Sequence, residues 1–163
     1  LNDTMTKPSI YLETSFISYL TARPSRDLIV AGHQAITAEW WENRRHEFEL
    51  FISPIVLEEV GRGDSLAAAR RIAVLSEMVS LDISAEAYHL ANRLIHTAAI
   101  PKEAFSDALH VAIAGVNGIN YLFTWNCKHL AHAKKRGDIE RVCTDHNYVS
   151  PIICTPEELL GGE

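Results

Sequence analysis

The sequence predicts an α/β fold of three layers, with a central, mostly parallel sheet flanked by helices. Three observations lead there. Short apolar runs of strand length, Ile10-Tyr11-Leu12, Leu50-Phe51-Ile52 and Tyr121-Leu122-Phe123, alternate along the chain with longer segments of helical character. Strands separated by helices pair in parallel, because the helix is the crossover that returns the chain to the same edge. Polar groups also begin abruptly where two of the runs end, at Glu13-Thr14-Ser15 and at Thr124-Trp125-Asn126. In open α/β sheets, ligands bind outside the carboxyl ends of the strands.

The elements follow in order. Residues 1–8 read as a flexible N-terminal segment and 9–163 as one domain, in keeping with a length of 163 residues. Ser9 to Leu12 is the first strand, and Phe16 to Leu20 opens a helix that Arg23-Pro24-Ser25 breaks. Residues 27–45 form a long amphipathic helix, with Leu28, Ala31, Ala35, Ala38 and Trp41 along one face. Residues 49–53 are a second strand. Pro54 suits the first turn of the next helix, which runs to Val60 and stops at Gly61-Arg62-Gly63. Asp64-Ser65 caps a helix over 66–78, and 79–83 is a third strand. Ser84 caps a helix to about Ala99. The stretch 106–126 then reads as helix, break at Gly118, strand and polar turn. Residues 128–136 form a basic helix ending at Gly137, followed by a helical or irregular segment over 139–147. Residues 151–154 are a last strand. Thr155-Pro156-Glu157-Glu158 opens a short final helix with a capping-box pattern.

Composition narrows the function classes. A formal charge of −6 and a pI near 5.7 argue against a protein that coats nucleic acid by bulk charge. Three cysteines without a CxxC pair suit a reducing cytoplasm. No run of about eighteen apolar residues signals a membrane span, and the N-terminus lacks the apolar core of a signal peptide.

Four polar positions stand out: Glu13 after the first strand, Glu59 inside a helix, Asp107 in the first turn of a helix, and Asn126 after a strand. Converging carboxylates repel unless a cation lies between them. Oxygen ligands of this kind favour Mg²⁺ or Mn²⁺ over zinc, and such an ion activates water and neutralises phosphoryl charge. Glu58, turned about 100° from Glu59 on the same helix, reads as solvated. Thr14 and Thr124 are expected to hydrogen-bond the acids or a metal's water. His110, one helical turn past Asp107, is expected either to support a carboxylate or contact phosphate, or to pack in the core. His129 and His132 read as surface residues, and Trp40-Trp41 as core or dimer contacts. Arg44-Arg45, Arg70-Arg71, Lys128 and Lys134-Lys135-Arg136 read as a backbone-tracking surface or as solvated charges.

On these residues the chain resembles the PIN-domain family, in particular VapC-type toxins of toxin–antitoxin pairs. The matching motifs, in chain order, are IYLETS with Glu13 where Asp is usual, EVGRG with Glu59, DALHVAIA with Asp107, and YLFTWN with Asn126. The resemblance covers nearly the whole chain. It implies a parallel sheet between helices and Mg²⁺- or Mn²⁺-dependent cleavage of RNA to a 5′-phosphate and a 3′-hydroxyl. Glu13, Glu59, Asp107 and Asn126 would be its catalytic and metal-holding set. It also implies a cognate antitoxin as partner and frequent homodimerisation, while a cytoplasmic location without membrane association is expected from the cysteines and the hydropathy. Two rival readings remain. One is a catalytically weak PIN-like module that binds RNA or protein. The other is phospho-receiver or haloacid-dehalogenase chemistry, which wants an Asp after the first strand where this chain has Glu13.

Overall fold

The computed structural model describes residues 6–161, so most of the segment expected to be flexible, residues 1–5, lies outside the described residues. From Thr6 the chain leads into β1, Ser9–Leu12, in which Ile10, Tyr11 and Leu12 have no solvent exposure. A strand buried on both faces belongs at the centre of a parallel sheet. β1 pairs with β2, Glu49–Ile52, on one side and with β4, Tyr121–Phe123, on the other. Beyond these lie β3, Val79–Ser80, and β5, Ile152–Cys154, in the order β3-β2-β1-β4-β5 with every pairing parallel. The chain builds outward from β1 to β3, then crosses back to place β4 on the opposite side of β1. That reversal is a topological switch point, and it brings the carboxyl ends of β1 and β4 together.

The helices among the described residues are α1 (Thr14–Thr21), α2 (Leu28–Asn43), α3 (Pro54–Val60), α4 (Ser65–Leu75), α5 (Ala85–His96), α6 (Phe105–Val116) and α7 (Ala133–Asp145). Their starts obey local chemistry. The Asp27 carboxylate accepts from the amides of Ile29 and Val30, Asp64 from Ala67, and the Ser84 hydroxyl from Ala87. α6 is the most deeply set, with every residue from Ala108 to Gly115 buried. Its alanines are buried, Gly115 faces Leu90 of α5 and Pro151, and Gly118, at φ +67, turns the chain out of it into β4.

Four expectations need correction. Gly137 does not end a helix: α7 runs through it to Asp145. Ile139, Val142 and Cys143 are buried on that helix, and their packing outweighs the roughly 1 kcal/mol that a mid-helix glycine costs. On α2 the buried side chains are Thr37 and Trp40, while Leu28 is 88% exposed and Ala31, Ala35 and Ala38 border a cleft against Tyr19 and Leu20 of α1. Thr37 is inside because its hydroxyl accepts the indole N–H of Trp125 at 2.8 Å. β3 spans two residues rather than five, and the closing helix, Pro156–Leu159, has 3₁₀ geometry. After the Leu81 amide donates to the Ile52 carbonyl at 2.8 Å the chain leaves the ladder and Ser84 caps α5, while the amide of Thr155 is held by Glu158 at 2.8 Å.

Candidate active site

Glu13 follows β1 directly and starts α1. Its backbone N–H donates to the carbonyl of Phe123 at 3.0 Å, which locks residue 13 to the end of β4. Its side chain is 6% exposed and caps α1. Oε2 accepts three hydrogen bonds, from the Ser15 amide at 3.0 Å, from the Ser15 hydroxyl, and from Thr124 Oγ1 at 2.9 Å. Burial pushes the Glu13 carboxyl above the usual carboxylate range, against the opposing pull of His110 and of these hydrogen bonds.

Glu59 sits in the last turn of α3. Its Oε1 accepts from Thr14 Oγ1 at 3.0 Å and from His110 Nε2 at 2.6 Å. Burial works upward on this carboxyl too. The hydrogen bond and charge of His110, with Thr14 and Ser106, outweigh it and hold Glu59 below its ordinary value. Glu58, its neighbour in sequence, is exposed and pairs with Arg62. Ser106 lies close enough to help Glu59, yet its buried Oγ makes no hydrogen bond of standard geometry among the described residues.

Asp107 enters from the first turn of α6, where a carboxylate also suits the helix dipole. Its Oδ2 accepts from Asn126 Nδ2 at 3.0 Å and from His129 Nδ1 at 3.0 Å. Asn126 Oδ1 accepts the His129 amide at 3.1 Å, which fixes the amide orientation, since only the oxygen end can accept an N–H. Asn126 N–H in turn donates to Thr124 Oγ1 at 2.9 Å. The loop after β4 is anchored from outside by Trp125, whose ring stacks on His33 at 4.1 Å.

One pattern unites the three acids. In each, a single oxygen carries all the hydrogen bonds: Oε2 of Glu13, Oε1 of Glu59 and Oδ2 of Asp107. The other oxygen has no hydrogen-bond partner among the described residues. A carboxylate held this way is oriented and still free to ligate through one oxygen. The donor chemistry fits a hard divalent cation such as Mg²⁺ or Mn²⁺. As they stand, no three or more His, Cys, Asp or Glu side chains among the described residues close into a metal-holding group. The acids instead form adjoining hydrogen-bonded units at one sheet edge.

All four residues singled out in the sequence therefore come from the carboxyl edge of the sheet or from helices meeting it. Thr14 and Thr124 bond Glu59 and Glu13, respectively. His110 has no solvent exposure and bonds Glu59. His132 is exposed, but His129 is not a bystander: it holds Asp107. The Asn126–His129 spacing was the available signal, because an asparagine oxygen that accepts the amide three residues on, as in an N-cap, folds residue i+3 back over it. Ser15 and Tyr11 were also missed. The basic candidates divide, with Arg71 spent on the carbonyls of Val60 and Arg62, Arg45 on Trp41, and Arg136 on Glu158. Arg70, Lys128 and Lys134 are exposed, and Lys128 is two residues from Asn126.

Neither a protein-family model nor a curated relative matches the sequence. Solved structures do share its architecture. VapC20 of Mycobacterium tuberculosis, described as a toxin that cleaves the sarcin–ricin loop, aligns with a TM-score of 0.56 at 18% identity, over 74% of this chain and 92% of its own. VapBC2 of Rickettsia felis, solved bound to a DNA fragment from its promoter, aligns with a TM-score of 0.58 at 18% identity, over 90% of this chain and 98% of its own. The chain has a PIN-like α/β/α fold, which it shares with these two structures. Within that fold, the switch point between β1 and β4 carries Glu13 and Asn126, and α3 and α6 bring Glu59 and Asp107 to it. No helix among the described residues is long and apolar enough to cross a membrane.

Proposed function

We propose that the protein is a divalent-cation-dependent endoribonuclease, the toxin of a VapC-type toxin–antitoxin pair. The observation that carries this reading is the set of three carboxylates from three separate elements, each gripped by one oxygen with the other left free. A PIN-like fold supports it.

In this reading Glu13, Glu59 and Asp107 are the residues that would hold Mg²⁺ or Mn²⁺. Held there, a divalent ion would make a bound water nucleophilic near neutral pH and offset phosphoryl charge. The chain's own task is orientation. Ser15 and Thr124 hold Glu13, Thr14 and His110 hold Glu59, and Asn126 and His129 hold Asp107. Asn126 serves as a neutral strut between Asp107 and the loop, in addition to any contact with a metal or its water. An antitoxin partner, a homodimer and a cytoplasmic location belong to the same reading, and the R. felis neighbour is described as a VapBC assembly.

The deciding experiment is cleavage of a panel of structured RNAs with and without Mn²⁺, by wild type and Asp107→Asn. Metal-dependent cleavage by the wild type alone supports the proposal. A second reading, an RNA- or protein-binding module with weak turnover, is favoured by the upward-shifted, buried Glu13 and by the lack of a closed metal group among the described residues. RNA binding with no cleavage in any divalent ion would select it.

A further inference from the structure

A buried hydrogen-bonded chain runs behind the site. Ser53 Oγ lies 2.7 Å from Tyr11 Oη, Tyr11 Oη 2.6 Å from His110 Nδ1, and His110 Nε2 2.6 Å from Glu59 Oε1. Ser53, Tyr11 and His110 have no solvent exposure. A carboxylate only accepts, so Glu59 puts a proton on His110 Nε2. His110 Nδ1 pairs with the Tyr11 hydroxyl, which pairs in turn with Ser53.

Two features set this apart from ordinary core satisfaction. Tyr11 carries a polar group in the fully buried part of the central strand, flanked by Ile10 and Leu12. Ser53 occupies the N-cap of α3, yet its side chain makes no cap bond there and is turned to Tyr11 instead. A residue favoured at helix starts for its cap has given that role up.

We propose that Tyr11 is a positioning residue for the site: through His110 it fixes the carboxylate of Glu59, and Ser53 orients Tyr11. The inference rests on the reading of Glu59 as a metal-holding acid. His110 cannot rotate without orphaning a buried ring nitrogen, so Glu59 is held on Oε1 and presents Oε2 in one direction. Partners of this kind behind a ligand commonly change metal affinity by 10-fold or more when removed.

The test uses Tyr11→Phe, which keeps the ring and loses only the hydroxyl, with Ile139→Val in α7 as a control for general destabilisation. Two quantities are read in the intact protein: Mn²⁺ affinity by calorimetry, and the solvent protection of the His110 Nε2 proton by NMR without metal. Tyr11→Phe should weaken Mn²⁺ binding roughly 10-fold and lose the protected proton, while Ile139→Val changes neither. If Tyr11→Phe keeps both, or loses melting temperature alone as the control does, the relay is overturned. If the wild type cleaves no RNA but both readouts still depend on Tyr11, the relay stands and the ribonuclease reading falls. If the wild type takes up no Mn²⁺, the metal reading falls and the protected proton alone decides the relay.

Discussion

Glu59 and His110 lie 51 positions apart in sequence and are joined by a hydrogen bond of 2.6 Å. The bond ties α3 to α6, the two helices that deliver Glu59 and Asp107 to the sheet edge. It also separates Glu59 from Glu58, since only Glu59 has partners in the core. Glu59→Gln and Asp107→Asn should each lower RNA cleavage by roughly 100-fold or more, beyond the cost of losing an outer hydrogen-bond partner. Glu58→Gln should retain wild-type rates. Initial rates on one RNA with Mn²⁺ check all three, and activity in Asp107→Asn would remove that residue from the mechanism.

Glu13 provides a pH test. Its folded-state carboxyl is raised by burial, so between the ordinary value near 4.5 and the raised one the folded state holds more protons than the unfolded state. Stability then falls as pH rises through that window. Glu13→Gln removes the buried charge and keeps an acceptor for Ser15 and Thr124. It should melt higher than wild type at pH 8, with the gap closing as pH falls toward 4.5, and it should not cleave RNA. A wild type that melts as high as the variant at pH 8 would contradict the placement of a strained carboxylate there.

Asn126→Asp would set a second carboxylate where an amide now donates to Asp107 at 3.0 Å. The metal-free protein should lose about 2–3 kcal/mol, the cost of breaking a hydrogen bond to a charged group and leaving a like charge beside it. The added negative charge should also make the gain in melting temperature on adding Mn²⁺ larger than in wild type. Denaturant titrations with and without Mn²⁺ measure both, and an unchanged protein would mean that Asn126 does not hold Asp107.

Gly137 lies inside α7, and a Cβ added there meets no atom within 4 Å. Gly137→Ala should stabilise the protein by about 0.5–1 kcal/mol without altering cleavage. A loss of stability in chemical denaturation would show that the helix is not continuous through 137.

Much of this was legible before any coordinates. Ile10 to Leu12 and Tyr121 to Phe123 announce buried strands because full burial tolerates little besides apolar side chains, and the polar groups after them mark the sheet edge. Asp107 and Glu59 were readable from their motifs and from the helical offset that turns Glu58 away. What escaped was set by distant partners. Thr37 is inside only because Trp125 needs an acceptor, Gly137 is helical only because Ile139 and Val142 pack, and His129 reaches Asp107 only through the turn that Asn126 nucleates. Tyr11 carried a signal of its own, since a phenol in a central strand requires a buried partner, but the identity of that partner depends on residue 110.

The bond between Thr124 and Glu13 spans 111 positions. During synthesis, Glu13 and Glu59 leave the ribosome long before β4, which supplies the carbonyl of Phe123 and the hydroxyl of Thr124 that hold residue 13 in place. Asp107 likewise waits for Asn126 and His129. The acids are therefore assembled only when β4 inserts beside β1, a late, long-range pairing event. A chain that ends before β4 contains all three carboxylates and no site, so the site is a product of that one strand pairing.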